Sequence, residues 1–108
     1  MSNCNTEVIL MKDGFILTHC EDCDTFCLMY QQFMIRLNSY DFSSFIRYVD
    51  HLEFDSHSFP FYDGIDRMVL ETYHAEIQFT LKEEEFYMFK AYLNEVKIHF
   101  QIAELMKQ

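Results

Sequence analysis

The segment FMIRLNSYDFSSFIRYV (33–49) aligns without a gap to IQFTLKEEEFYMFKAYL (77–93), at an offset of 44 residues. Leu37/Leu81, Phe42/Phe86, Phe45/Phe89 and Tyr48/Tyr92 are identical, and Ile35/Phe79, Asp41/Glu85 and Val49/Leu93 are similar in kind. In each copy a stretch of period two runs into a stretch of helical period, so a hairpin–helix unit is used twice. The matches fall on the side each element would bury, where packing alone could select them. Two such units restrict the chain to an α+β architecture.

The remaining elements fit that frame. VILMKDGFILTH (8–19) holds two apolar runs around Asp13-Gly14, the strongest short hairpin signal, and predicts strands near 7–11 and 15–19. FCLMYQQFMIRL (26–37) alternates Phe26, Leu28, Tyr30 and then Phe33, Ile35, Leu37 around Gln31-Gln32, a second hairpin. Phe42, Phe45, Ile46, Val49 and Leu52 recur at helical spacing, with Asn38 or Ser39 as cap and Asp41 in the first turn, which predicts a short helix over 39–52. Residues 53–67 contain the single proline and one of two glycines and read as an irregular connection. MVLETYHAEIQFTL (68–81) is a third hairpin, and a helix over 82–107 would be roughly 39 Å long.

On that long helix Lys90, Asn94, Lys97, Gln101, Glu104 and Gln108 form a polar stripe opposite Phe86, Phe89, Leu93, Val96, Phe100 and Ala103. KEEE (82–85) complements the helix dipole and needs no substrate. The expectation is therefore one domain over 1–108: an N-terminal hairpin (7–19), a ββα unit (26–52), a loop (53–67) and a second ββα unit (68–107). Its strands, about six, would form one antiparallel, mostly meandering sheet with both helices on one face.

Eighteen acidic residues against eight basic ones give a net charge of −10, a field that repels phosphate backbones and anionic lipid. Neither nucleic acid nor a membrane is expected as a partner. MSNCNTEVIL has neither the basic start nor the apolar run of a secretory signal, so the expected compartment is the cytoplasm. There the four cysteines would stay reduced and act as small hydrophobes, metal ligands or reactive groups.

Three of those cysteines sit in THCEDCDTFC (18–27). Cys20 and Cys23 have the Cys-x-x-Cys spacing that lets a turn present two thiolates to one tetrahedral zinc, half of a structural site. Cys4 is the most attractive third ligand, because pairing of the first two strands brings its flank beside the end of the second. The fourth could be Cys27 or a histidine, with His19, His51, His57 and His74 as candidates. His19 and Cys20 would point to opposite faces of a strand, which argues against using both. Glu21, Asp22 and Asp24 would raise the thiol pKa values yet also attract a cation. A polar turn with buried cysteines nearby ranks ahead of one structural zinc, and a redox dithiol ranks behind it, since no helix N-terminus follows the pair.

Asp50, His51, Glu53, Asp55 and His57 could serve acid–base chemistry or bind a metal. With no nucleophile and no phosphate cradle beside them, a solvated loop is the preferred reading. No catalytic or cofactor-binding residue is assigned, and the balance leans away from an enzyme.

The order of Cys20-x-x-Cys23, an aromatic hairpin, IRLNSYDFSSFIRYV, and a further hairpin leading into FTLKEEEFYMFKAYLNEV resembles a domain-of-unknown-function family of small Bacteroidota proteins. The resemblance spans about Cys4 to Met106 and implies a fold and a compartment rather than an activity. The better functional clue is surplus apolar surface on the long helix at Tyr92, Ile98, Ile102, Leu105 and Met106. Such surface on a small acidic protein suggests self-association about a two-fold axis or a protein partner. The expected function is a noncatalytic binding or regulatory module that forms a homodimer, with a small zinc-stabilised metalloprotein as the alternative.

Overall fold

A computed structural model describes residues 5–107. Strands β1 (Thr6–Lys12), β2 (Phe15–Cys20), β3 (Thr25–Tyr30) and β4 (Phe33–Leu37) form an antiparallel meander in that order. Helix α1 (Ser39–Asp50) follows, then a single turn α2 (Phe54–His57) and strands β5 (Ser58–Pro60), β6 (Asp66–Glu71) and β7 (Gln78–Lys82), which make a second antiparallel sheet. Helix α3 (Glu83–Met106) closes the chain.

Local chemistry explains the connections. Asp13 (φ 50°) and Gly14 (φ 85°) take the two left-handed positions of a two-residue hairpin turn between β1 and β2. Gln31 (φ 53°) opens the equally short turn between β3 and β4. The Asn38 side chain accepts the Asp41 N–H at 2.8 Å and caps α1. At α3 the Glu85 carboxylate reaches back to the Lys82 N–H at 2.8 Å, half of a capping box.

The anticipated single six-stranded sheet is corrected to two sheets, of four and three strands. Periodicity identifies strands but not which edges pair, and β4 and β7 meet through side chains instead. Phe33 stacks on Phe79 with ring centroids 4.3 Å apart. The connection over 53–67 also holds more structure than expected. Phe54, 4% exposed, is buried at the start of α2, and β5 pairs along β6 with Pro60 opposite Asp66 at the sheet edge.

The 44-residue repeat corresponds to two real ββα units, β3–β4–α1 and β6–β7–α3, whose helices begin at Ser39 and Glu83. Phe42, Phe45, Phe86 and Phe89 are all buried in one continuous core that draws on both sheets and all three helices. Each long helix packs on the strands that precede it, the two helices touch each other, and α3 also reaches the first sheet. Phe89 stands at the centre, its ring 5.1 Å from Tyr30, 5.8 Å from Phe33, 6.0 Å from Phe15 and 6.1 Å from Phe45.

The repeated tyrosines tie helices to hairpin ends. Tyr48 Oη accepts the Glu71 N–H at 3.0 Å, and Tyr92 Oη donates to the Asp13 carboxylate at 3.0 Å. With its ring against Phe15 and Tyr30, Tyr92 is buried in the core and drops out of the surplus apolar surface. On the face of the first sheet opposite to Phe15, Leu17 and Leu28, Met11, Ile16, Met29 and Met34 are direct cross-strand neighbours and form a row.

Candidate functional site

The segment THCEDCDTFC is the end of β2, a four-residue turn over 21–24 and the start of β3. Cys20 is buried at the end of β2, Cys23 is exposed in the turn, and Cys27 is half-buried in β3 opposite Thr18. The register pairs Thr6 with Cys20, so the N-terminal end of β1 does run beside Cys20. Cys4 lies outside the described residues. Among the described residues no group of three or more His, Cys, Asp or Glu side chains could hold a metal ion.

The turn has a different organiser, Asp24, held at φ 48°. Its carboxylate accepts from the Ser39 N–H at 3.1 Å and the Ser39 hydroxyl at 2.8 Å, and it lies 3.3 Å from His19 Nε2. His19 also stacks on Phe26 at 4.1 Å, so its ring is spent on the turn and the core edge. One exposed carboxylate therefore clamps the β2–β3 turn to the first turn of α1.

These contacts set the acid response. The Ser39 N–H, then its hydroxyl, then His19 hold the Asp24 carboxyl below its ordinary value of 3.8. A depressed folded-state pKa stabilises above the unfolded value, and that stabilisation is lost as pH falls through the folded value. Asp24→Asn should therefore be less stable than the parent near neutrality, and the gap should narrow as pH drops below about 3.8. Parallel urea titrations from pH 7 to 3 check this; a constant gap would show that the charge on Asp24 contributes nothing.

The acidic and histidine residues after α1 do not converge. His51 Nδ1 lies 2.7 Å from the Arg47 carbonyl and His57 Nδ1 lies 2.9 Å from the Glu53 carbonyl, each engaged by its own local backbone. Asp50 faces Lys97 at 3.9 Å and Glu53 faces Lys90 at 3.8 Å. Asp55 sits in the first turn of α2.

A concavity lies elsewhere, in a cleft of about 650 Å³ beside the Phe33–Phe79 stack, between β4 and the β6–β7 hairpin. Four consecutive residues of β4, Met34 to Leu37, line one wall. Phe45 and Tyr48 of α1 line another, and the third comes from Glu71 to His74, Ile77 and Phe79. A cavity over one face of a strand meets alternate residues, so four in succession mean that the cleft runs along the edge of β4.

The charged groups of the cleft differ in how they are engaged. Both Glu71 carboxylate oxygens accept from Gln78 Nε2 at 3.1 Å. Partial burial raises the Tyr73 phenol pKa, and the adjacent Asp41 carboxylate raises it further. Thr72 Oγ1 lies 2.7 Å from the His74 carbonyl and 2.6 Å from that of Ile77, which fixes the β6–β7 turn forming the third wall. Among the described residues, no carboxylate lies within ion-pairing distance of Arg36.

Residues 1–62 match a family of unknown function, DUF6686, over more than half of the chain. The chain belongs to this family. No curated protein and no solved structure matches it. The DUF6686 match takes in the first sheet, α1, α2 and β5, and stops before β6, β7 and α3. The cleft thus straddles the matched region, with β4 and α1 inside it and the 71–79 wall beyond it.

Of the residues lining the cleft, the sequence marks only His74 as a candidate site residue, and then as a distant metal ligand. The one available signal was Arg36, a charged residue on an otherwise apolar strand of the first repeat, where the second repeat has Thr80.

Proposed function

We propose that the protein is a small noncatalytic binding module whose working surface is the β4–β7 cleft. The observation that carries this reading is a mainly apolar cleft of about 650 Å³ with a few convergent polar groups. Ligand sites commonly have that size and lining. The dye anilinonaphthalene sulfonate, an aromatic body bearing an anionic group, is a suitable probe. Titrated into isotope-labelled protein, it should shift the amide resonances of Ile35, Arg36, Tyr73 and Ile77. Shifts confined to other surfaces would overturn the assignment of the cleft.

Self-association is supported by a separate observation. Ile98, Ile102 and Leu105 recur on one side of the last turns of α3, and Leu105 and Met106 are 68% and 81% exposed. A second copy related by a two-fold axis is the simplest cover for such a stripe. By sedimentation velocity at about 100 μM the parent should be dimeric and Ile102→Glu/Leu105→Glu monomeric, with an unchanged circular dichroism spectrum. A monomeric parent would remove this reading.

A structural zinc remains the alternative, supported by Cys20 at the end of β2 and Cys23 in the turn that follows it, beside the start of β1. Elemental analysis of reduced, untagged protein should then find about one zinc per chain, lost with thermal stability in Cys20→Ser/Cys23→Ser. Metal-free protein with unchanged melting in the variant would exclude it.

A further inference from the structure

We propose that the cleft takes an extended peptide segment bearing an acidic side chain, which adds to the free edge of β4 as a fifth strand of the first sheet. The inference rests on the reading of the cleft as a binding surface and names its occupant.

The main chain of β4 specifies an extended polypeptide. Tyr30 and Phe33 close a two-residue turn, so their backbone groups bond to each other, and the pairs Leu28/Ile35 and Phe26/Leu37 repeat that pattern. The N–H and C=O groups of Met34 and Arg36 therefore point away from β3. Among the described residues none of them takes a hydrogen bond from another backbone segment. Edges of this kind are ordinarily blunted or covered because they template strand addition. Here the edge opens into an apolar cleft, which β7 approaches without pairing.

Side chains add direction to that recognition. Ile35, Phe45 and Phe79 offer apolar contact to alternate side chains of an added strand. Among the described residues Arg36 has no carboxylate within ion-pairing distance, whereas the two carboxylates that line the cleft are engaged, Glu71 by Gln78 and Asp41 by Tyr73. In a chain of net charge −10, that cation marks the place where an acidic side chain is tolerated.

Three fluorescein-labelled peptides test this by anisotropy: Thr-Val-Glu-Val-Thr, the same peptide with lysine for glutamate, and the glutamate peptide N-methylated at alternate amides. The glutamate peptide should bind best, and N-methylation on the pairing edge should weaken it about tenfold or more. Arg36→Glu, an exposed position, should reverse the preference between glutamate and lysine with an unchanged circular dichroism spectrum. Equal binding of the N-methylated peptide would overturn strand addition while leaving the cleft as a binding surface. Absence of binding by all three up to millimolar concentration would also overturn the inference. The dye titration separates that result from failure of the binding reading itself.

Discussion

Phe89→Ala is expected to be the most damaging single truncation in this chain, costing about 3–5 kcal/mol, a large share of the stability of a domain of this size. Phe89 is fully buried and its ring lies within 6.1 Å of four others contributed by β2, β3, β4 and α1. No single neighbour can collapse into the space it would leave, because those rings are anchored on four different elements. Its counterpart in the first repeat, Phe45, is 8% exposed and, among the described residues, meets only Tyr48 and Phe89 at ring distance. Phe45→Ala should therefore cost less, despite the identity of the two residues in the repeat. Urea denaturation of both variants at 25 °C, beside Tyr87→Ala on the exposed side of α3, measures the order. Equal costs at 45 and 89 would mean that the units are energetically interchangeable and that Phe89 has no central role.

That asymmetry marks where sequence reasoning succeeds and stops. Strands and helices were legible because local patterns encode them: Asp13-Gly14 dictates a turn, alternation over 26–37 dictates a hairpin, and Asn38 supplies a cap. The repeat was legible because both copies bury the same aromatic positions. Division into two sheets was not, since β4 and β7 both look like strands and nothing local says that their edges remain apart. What replaces the missing ladder is a ring stack between Phe33 and Phe79, whose partners are 46 residues apart in sequence.

The candidate site follows the same logic. Cys-x-x-Cys is a local signal carried by spacing, whereas Asp24, which bonds Ser39 and sits beside His19, is in sequence one more acidic neighbour. Its role depends on the start of α1 folding back beside the β2–β3 turn, a non-local fact. The cleft is assembled from β4, α1 and the β6–β7 turn, and no one of them carries a binding signature alone. On α3 the surplus apolar face was legible in outline, yet Tyr92 belongs to the core because its ring packs against Phe15 and Tyr30.

Whether the small sheet is part of the same cooperative unit can be decided by Leu70→Ala. Leu70 and Met68 of β6 are fully buried and belong to the core that also contains Phe15, Leu17 and Leu28 of the first sheet. Loss of the Leu70 side chain should cost about 2–5 kcal/mol. Because α3 packs on β6 and β7 while its Phe89 and Tyr92 rings meet Phe15, a cavity at Leu70 loosens the seat of the helix that roofs both sheets. Amide hydrogen exchange should therefore accelerate together in β2, β3 and β6, with a single denaturation midpoint by near- and far-ultraviolet circular dichroism. If exchange rose in β5–β7 alone while β1–β4 kept the parent's protection, the first sheet with α1 would be a separate folding unit. The β4–β7 cleft would then be a seam between two units, and occupancy by a peptide would be expected to change how they dock.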